Sequence, residues 1–286
     1  RFDGIEKVSL FTDFAASVLK VYVDKFCKYY REMWEAPRMT YQTIGLDDNN
    51  FVSEYTFTYT PFSEEDSTGM EIEAFIRELQ ALLTVHSGLP IDEKQACHGA
   101  ITAFDFRHHL YTPLISVKGQ ALKITVSPVS LNDGEKKLVE LLRRYCREHA
   151  FTLGGIDLYL LRNKSKVGVG FFEAGNFYPD YILWLDAPEK QTIAFIDPKG
   201  LRNILPDNPK ITFFKKIKEL EARLQPSAPD KQIILESFIM SSTPSKELSL
   251  VWGWEWDRQK RQEHHVMSLD WDDCVEIMMR KLLAKG

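Results

Sequence analysis

Hydrophobic and polar positions recur with two different periods along this chain, and these periods predict its helices and strands. From Phe11 to Trp34, apolar residues fall at helical spacing with basic residues between them, which predicts a long amphipathic helix. Residues 51–60 alternate aromatic or β-branched residues with small polar ones, as strands do. The helical period returns from Met70 to Val85, and we expect short strands around 110–117.

The pattern becomes sharper from residue 122 onward. The predicted elements are strand 122–129, helix 132–149, strand 156–161, an apolar run at 167–172, strands 178–185 and 192–197, helix 210–224, strand 232–240 and helix 268–283. This order predicts an α/β (α+β) fold with helices on both faces of one mixed sheet. We assign 1–120 to a helical and β linking region and 121–286 to the sheet domain.

Two neighbouring predicted strands carry acidic residues near their ends. If the turn between these strands is centred between Pro188 and Glu189, residues equally distant from that point face each other, which places Asp180 opposite Asp197. Side chains alternate along a strand, so Asp197 and Lys199 project to the same side. We therefore expect two carboxylates and one ammonium group to lie together.

Such a cluster has a definite chemistry. Two adjacent carboxylates repel each other unless a proton or a cation lies between them. Mg²⁺ prefers oxygen ligands and retains waters, one of which can act as a nucleophile. Lys199 could orient that water or stabilise the charge that builds on a phosphate in the transition state. The sequence therefore predicts a Mg²⁺ site, which Mn²⁺ could also fill, at Asp180 and Asp197.

A further acidic ligand is expected from the predicted helix 132–149. Glu135 lies one turn before Leu138, on the buried stripe of this helix. A second role is equally supported, because Asn132 followed three residues later by Glu135 is typical of a capping box. Glu173, shortly before the first strand of the site, is another candidate ligand.

Several runs of sequence carry a resemblance to a known family. They are Gly134-Glu135-Lys136-Lys137, Gly170-Phe171-Phe172-Glu173-Ala174-Gly175, Phe177-Tyr178-Pro179-Asp180 and Ile196-Asp197-Pro198-Lys199-Gly200. Together they resemble the PD-(D/E)xK nuclease superfamily. More narrowly, the region from Leu122 to Leu224 is similar to the C-terminal nuclease region of type III restriction subunits and related DEAD/DEAH-box helicases.

The resemblance implies a restriction-endonuclease-like mixed sheet and a metal-dependent endodeoxyribonuclease. By that resemblance Asp180, Asp197 and Glu135 would ligate Mg²⁺, and Lys199 would assist the attacking water. The chain departs from the commoner form of the motif, in which a glutamate and an apolar residue precede the lysine. Here the residues are Asp197-Pro198-Lys199, and because proline cannot donate to a ladder, we expect the strand to end at Pro198.

The resemblance also implies partners. The substrate would be double-stranded DNA, and the partners an upstream helicase/ATPase segment of the same polypeptide and a methyltransferase or other subunit of a restriction or antiviral defence system. The chain begins at Arg1 rather than at a methionine and enters a predicted helix at once, so we expect a piece of a longer protein. With no apolar run of the roughly 18 residues that span a bilayer, we expect a cytoplasmic protein without a membrane partner.

Charge changes this picture locally rather than globally. The net charge of −5 argues against a uniformly basic nucleic-acid-binding surface. Basic residues nevertheless gather around the motif, and those predicted to contact phosphates are Lys164, Lys166, Arg202, Lys210, Lys215, Lys216 and Lys218. The alternative for the lysines of the predicted helix 210–224 is a solvated helix face balanced by Glu219 and Glu221.

Other interpretations remain open at this level. A nuclease-fold module that has lost catalysis and binds DNA or docks a subunit is the main alternative, and a structural linker domain is a weaker one. The pairs His108-His109 and His264-His265 lack acidic or cysteine partners at ligand spacing, so we interpret them as structural. We also expect Trp252, Trp254 and Trp256 to pack against the core or a partner rather than to stack on bases.

Overall fold

The structure is a computed structural model of the chain. It describes residues 12, 15–23, 26–27, 30, 33–34, 54–60, 67–85, 97–98, 101–104, 114–117, 124–150, 152–164, 168–171 and 177–284. The described residues between 12 and 34 are all helical and exposed, in agreement with the predicted N-terminal helix. None of the described helices has the length and apolar character required to cross a bilayer.

The remaining elements form a mixed α/β architecture. In chain order they are β1 (Thr56–Tyr59), α1 (Thr68–Val85), β2 (Cys97–His98), β3 (Ile101–Phe104), β4 (Leu114–Val117), β5 (Ile124–Ser127), α2 (Asp133–Glu148), β6 (Asp157–Arg162), β7 (Tyr181–Asp186), β8 (Lys190–Lys199), α3 (Pro209–Leu224), β9 (Gln232–Ser241), α4 (Ser245–Trp252), α5 (Arg258–Glu263), β10 (Val266–Ser268) and α6 (Cys274–Leu283). The predicted α/β (α+β) class is confirmed at this level.

One five-stranded sheet organises the second half of the chain. Its strand order is β10-β9-β8-β7-β6. Strands β6, β7 and β8 are antiparallel neighbours, whereas β9 runs parallel to β8 and β10 parallel to β9. β8 and β9 are almost entirely buried, as expected of central strands that read as continuous apolar runs.

The amphipathic helices cover this sheet with regularly spaced apolar residues. α2 contributes Leu138 and Leu142, and α3 contributes Phe213 and Ile217. Each of these residues is at most 1% exposed to solvent. They belong to one core cluster that also contains Met278 of α6. Burying one such side chain contributes about 1.5–3 kcal/mol, so the helices are held mainly by this apolar contact.

The elements that precede α2 in the chain form a smaller layer. β1 pairs with β5, and β2, β3 and β4 form a three-stranded sheet. A second core cluster joins Phe75 of α1 with Ile101, Ile115 and Val126. β5 is therefore built into this layer, although it follows the predicted boundary at residue 121.

The structure agrees best with the predicted elements where the apolar pattern continues over the most residues. α2, α3 and β9 differ from their predicted bounds by one residue or less at each end. The helix predicted from Ser268 begins only at Cys274, because residues 269–273 form turns. β2, β3, α4, α5 and β10 were not predicted, and each is short.

A buried charge fixes α3 to the sheet. Glu236 of β9 is fully buried, and Lys218 Nζ lies 2.7 Å from its Oε1. The same Nζ donates to Glu221 Oε2 and to the Leu235 carbonyl oxygen, both at 2.7 Å. His265 Nδ1 lies 3.3 Å from Glu236 Oε2. Lys218, which the sequence suggested as a DNA contact, is thus bound within the fold.

The role of Lys218 predicts a large and specific loss of stability. Lys218→Met leaves the buried Glu236 carboxylate without its ammonium partner and should lower the free energy of unfolding by about 3–5 kcal/mol. The double variant Lys218→Met/Glu236→Gln should recover most of that loss, because no uncompensated charge remains. Urea denaturation measures both, with Lys216→Met, an exposed neighbour on α3, as the matched control. A loss in the double variant as large as in the single one would contradict this role.

Candidate active site

A tight turn sets the register of the two strands that carry the predicted acids. Ala187 and Lys190 exchange backbone hydrogen bonds of 2.8 and 3.3 Å across Pro188-Glu189. From there the β7–β8 pairing runs without interruption to Tyr181 opposite Ile196. The predicted position of the turn is confirmed, and one further step along this register places Asp180 opposite Asp197.

Two prolines explain why the ladder between β7 and β8 opens at this point. Ser242 N donates to Lys199 O at 3.0 Å, so the backbone polar groups of Lys199 face β9. Those of Pro198 therefore face the β7 side, where the register sets Pro198 opposite Pro179. Neither residue has an N–H, so no donor is left unsatisfied.

The expected end of the strand at Pro198 is wrong. β8 continues through Pro198, and its pairing with β9 extends to Lys199 opposite Ser241. The missing N–H of Pro198 would have faced β7, so the β8–β9 ladder loses no hydrogen bond. Asp197 is consequently held on a regular strand and is only 3% exposed.

The ladder geometry also brings the two acids together. In an antiparallel pair, residues that do not exchange hydrogen bonds have Cα atoms about 4.5 Å apart and the closest side chains. The backbone of Asp197 faces β9, so Asp197 and Asp180 occupy such a position. The two carboxyl groups are close enough for the charge of Asp197 to raise the pKa of Asp180. The register thus supports the predicted proximity of the two acids.

Asn163, which directly follows β6, holds the backbone of Asp180 just before β7 begins. Asn163 N donates to Asp180 O at 2.8 Å, and Asn163 Nδ2 donates to both Pro179 O and Val169 O at 2.8 Å. Val169 N donates back to Asn163 Oδ1 at 2.9 Å. This buried asparagine was not predicted, because nothing in the sequence around it distinguishes it from an ordinary turn residue.

The electrostatics of the acid pair favour a bound proton or cation. Burial, followed by the charge of Asp197, raises the pKa of Asp180 to about 7, while Lys199 opposes the shift. Lys199 Nζ lies 3.6 Å from Asp197 Oδ2. That oxygen is buried and accepts no hydrogen bond from the residues that the structure describes. An oxygen in this state is suited to bind a metal ion.

Glu135 forms the capping box, one of the two roles between which the sequence did not decide. Its Oε2 accepts from Asn132 N at 2.8 Å, and Asn132 Oδ1 accepts from Glu135 N at 2.9 Å, which completes the capping box. Arg162 binds the same carboxylate through Nε at 3.0 Å and Nη2 at 3.1 Å. The charge of Glu135 nevertheless reaches Asp180 and contributes to its raised pKa. Both oxygens of Glu135 are thus already bonded.

The start of α2 lies directly against the strands of the site. A β-carbon built on Gly134 would lie 3.9 Å from Pro198 Cβ and 3.4 Å from Ser242 Cβ. This close approach is what places Glu135 near the acid pair. Within the described ranges, no group of three or more acidic, histidine or cysteine side chains is arranged to hold a metal. Glu173 and Lys166 lie outside the described residues.

A second lysine joins the cluster from α3. α3 begins at Pro209, and the side chain of Asn208 caps it by accepting from Lys210 N at 3.0 Å. Burial lowers the pKa of Lys210, as does its contact with Lys199, and the nearby acids oppose the shift. The sequence suggested Lys210 as a DNA contact but did not place it beside Lys199.

The other basic residues that the sequence suggested as DNA contacts are ion-paired elsewhere, exposed or partly buried. Arg202 is ion-paired with Glu247, with Nη2 2.9 Å from Oε2. Lys215 and Lys216 are exposed on α3, and Lys164 is partly buried at the end of the Asn163 loop. Lys215, Lys216 and Lys164 therefore remain candidates for phosphate contacts.

The tryptophans and histidines near the C-terminus serve mainly in packing. Trp252 Nε1 donates to Ile204 O at 2.7 Å, and the Trp252 and Trp256 rings lie 5.2 Å apart. His265 is buried and stacks on Phe238. The predicted packing role is confirmed for these residues, whereas Trp254 is 74% exposed. His108 and His109 lie outside the described residues.

A pocket opens directly after Lys199. It has a volume of about 360 Å³ and is lined by Gly200, Arg202, Asn203, Ile204, Ser242 and Thr243. Its lining exposes more apolar than polar surface. The pocket lies where the chain leaves β8 after Lys199 and β9 after Ser241.

No protein-family model, curated protein or solved structure matches this chain. Its function is therefore inferred from the geometry of the site and from the resemblance of its motifs.

The raised pKa of Asp180 predicts a pH-dependent stability. Between pH 3.8 and about 7 the folded state retains a proton that the unfolded state has lost, so the free energy of unfolding falls as pH rises through this window. Asp180→Asn abolishes the ionisation. Relative to the parent, this variant should gain stability from about pH 4 to 7 and change no further above about 7.

Urea denaturation in EDTA at several pH values measures this difference. Asp230→Asn, at an exposed acid in a turn, is the control and should give a difference that does not change with pH. A constant difference between the parent and Asp180→Asn would show that the acid pair is not coupled as described.

Proposed function

We propose that this chain is a Mg²⁺-dependent DNA endonuclease domain of the PD-(D/E)xK type, part of a larger helicase- or translocase-coupled restriction or defence protein. The observation that carries the proposal is the pairing of half-buried Asp180 with buried Asp197, with Lys199 Nζ 3.6 Å from Asp197 Oδ2. Two acids that can hold a divalent cation, with a lysine beside them, suit metal-assisted phosphodiester hydrolysis.

The donor atoms fit a divalent cation. Asp180 and Asp197 would hold Mg²⁺, or Mn²⁺ in its place, because Asp197 Oδ2 is buried and accepts no hydrogen bond from the described residues, while burial and the charge of Asp197 raise the pKa of Asp180. A hard cation with oxygen ligands would balance the charge of the two carboxylates. When bound, the metal would supply a water of lowered pKa and stabilise charge on the phosphate.

The chain's own residues have distinct roles in this proposal. Lys199 is positioned to stabilise the charge that develops on the phosphate, since its ammonium group lies beside the acid pair. Asn163 keeps the Asp180 backbone in place while substrate binds. Glu135 adds a third negative charge near Asp180 and Asp197, and Arg162 orients the Glu135 carboxylate by two hydrogen bonds.

Double-stranded DNA is the substrate best supported by the surroundings. Lys215 and Lys216 are exposed on α3, and Lys164 lies at the other side of the motif. The pocket of about 360 Å³ beside Lys199 offers room for the nucleotide next to the reacting phosphate. Lys218 is left out of this surface because it is bound to Glu236.

The element order also supports this type of fold. α2, the antiparallel strands β6, β7 and β8, then α3 and the parallel strand β9 follow each other as expected for a restriction-endonuclease-like core. Asp180 directly precedes β7 and Asp197 lies on β8, so both acids lie on the antiparallel part of this order.

One observation favours a second candidate, a nuclease-fold module that binds DNA or docks a subunit without cutting. Both oxygens of Glu135 are occupied by Asn132 and Arg162, so the acid pair lacks a third ligand unless this network rearranges. The two candidates differ in one measurable property, namely cleavage.

Cleavage of plasmid and linear DNA by the full chain with Mg²⁺, with and without ATP and the upstream segment, tests the proposal. Asp180→Asn and Lys199→Met should each reduce the rate by about 10²-fold or more, because each removes a group that acts on the reacting phosphate. Asp186→Asn and Lys190→Met are matched controls. They lie at the far ends of the same strands, roughly 20–30 Å away, and should cut at the parent rate. Equal cleavage by all five proteins would reject the catalytic site.

Metal binding has its own readout. Mg²⁺ or Ca²⁺ should raise the thermal midpoint of the parent in a concentration-dependent manner, because a ligand that binds only the folded state stabilises it. Asp197→Asn should abolish this increase, and Asp186→Asn should retain it. An increase that persists in Asp197→Asn would place the metal elsewhere.

A further inference from the structure

We propose that Asn163 is a positioning residue that fixes the direction of the Asp180 side chain and thereby determines how tightly the acid pair binds a divalent cation. This inference rests on the proposed metal site and names a residue outside the motif on which that site depends. Asn163 bonds the backbone on both sides of Asp180. Its effect on the metal is therefore transmitted through the Asp180 backbone.

The main-chain bond between Asn163 and Asp180 continues the β6–β7 ladder by one residue. Arg162 lies opposite Tyr181 in the last pair of this ladder, so the next pair is Asn163 with Asp180. Asn163 N donates to Asp180 O at 2.8 Å. This oxygen belongs to the peptide unit that follows the Asp180 Cα atom. That unit is therefore held by the end of β6, which forms one edge of the sheet.

The side chain of Asn163 holds the peptide unit that precedes the Asp180 Cα atom. Asn163 Nδ2 donates to Pro179 O at 2.8 Å, and this oxygen belongs to the peptide unit that contains Asp180 N. The register sets Pro179 opposite Pro198, which has no N–H to offer to that oxygen. The side-chain amide thus supplies a donor that the β7–β8 ladder lacks at this point.

These two peptide units determine where the Asp180 side chain begins. The φ and ψ angles of a residue describe how its two planar peptide units are turned about the Cα atom, and they fix the direction of the Cα–Cβ bond. Because Asn163 bonds both units, the side-chain torsions are the main freedom left to Asp180. Asp197 is held separately, by the ladder between β8 and β9. The separation of the two carboxylates consequently depends on Asn163.

The amide group of Asn163 is itself held in one orientation. Val169 N donates to Asn163 Oδ1 at 2.9 Å, and Asn163 Nδ2 also donates to Val169 O at 2.8 Å. An amide nitrogen carries two hydrogens, so Val169 O and Pro179 O use both of them. Asn163 is only 8% exposed, and Val169 packs against the main core. Water therefore competes little for these bonds, which favours a fixed position for both carbonyl groups.

A fixed carboxylate matters most for a small, hard cation. Mg²⁺ requires near-octahedral oxygen ligands at about 2.0–2.1 Å, so a displaced carboxylate weakens the site. Residues that orient metal ligands without contacting the metal change metal affinity or activity by about 10–100-fold when they are replaced. We therefore expect Asn163 to act on the affinity for the metal before it acts on the chemical step.

The dissociation constant for Mg²⁺ tests this role directly. It is measured by calorimetric titration of the full chain, at a temperature where every variant is folded. Asn163→Ala removes the amide but keeps the main-chain bond to Asp180, and should raise the dissociation constant by about 10–100-fold. Asn163→Ser, whose hydroxyl can donate to only one carbonyl oxygen, should give an intermediate value. It takes the place of the alanine variant if that variant does not fold.

Leu158→Ala is the matched control for a loss of stability. Leu158 is buried near the start of the same strand, β6, and its replacement removes apolar packing without removing a bond of Asn163. This variant should lower the thermal midpoint in EDTA. Because the substitution is distant from the acid pair, its dissociation constant for Mg²⁺ should stay within about twofold of the parent value.

Each result of the titration supports or overturns the inference. Weaker Mg²⁺ binding by the Asn163 variant, with parent-like binding by Leu158→Ala, supports it. Parent-like binding by the Asn163 variant overturns it. Equal weakening in the Asn163 and Leu158 variants would assign the effect to general stability and also overturn it. A parent that binds no divalent cation would overturn it together with the metal site.

Cleavage keeps this inference distinguishable from the proposed nuclease function. The titration needs no DNA, so a parent that binds Mg²⁺ without cutting rejects the nuclease, while the dissociation constants still decide the role of Asn163. If the parent cuts, Asn163→Ala should approach the parent kcat when Mg²⁺ is saturating, because the lost interaction acts on metal binding. A kcat that stays low at every Mg²⁺ concentration, with parent-like Mg²⁺ binding, contradicts this role.

Discussion

The register of the β7–β8 hairpin is the constraint on which the rest of the site depends. A two-residue turn at Pro188-Glu189 sets it, and every pair from there to Tyr181 opposite Ile196 follows. A slip of one residue would turn each side chain to the opposite face of the sheet. It would also move Asp180 away from Asp197, so the turn and the ladder that follows it position both acids.

Charge balance is the second determinant of the site. Burial and the charge of Asp197 raise the pKa of Asp180, and Lys199 Nζ lies 3.6 Å from Asp197 Oδ2. Glu135 adds negative potential but is neutralised by Arg162. The backbone of this cluster is held at separate points, because the β8–β9 ladder fixes Asp197 and Asn163 fixes Asp180.

Much of this arrangement follows from local rules. The helices α2 and α3, the strand pairing and the positions of Asp180, Asp197 and Lys199 on it could be predicted from periodicity and from one turn. The continuation of β8 through Pro198 could not, because it depends on β9, a strand about 40 residues later that supplies the other ladder.

The same applies to Asn163, Arg162 and Lys210. Each acts through a partner distant in sequence, and no spacing rule links them to the acids. The short elements β2, β3, α4, α5 and β10 were missed for a related reason, since they contain too few residues to express a period.

The facing prolines have a consequence for how the motif can vary. A residue with an N–H at position 198 would direct a donor toward Pro179, whose carbonyl oxygen already accepts from Asn163. If neither position were proline, residues 179 and 198 could exchange backbone hydrogen bonds. The β7–β8 ladder would then extend past the acids, and the two strands would lie closer together there. Among homologous sequences, positions 179 and 198 should therefore covary. The middle residue of the Asp-Pro-Lys motif would then determine how far apart the two strands lie beside the acids, and not the chemistry of the acids themselves.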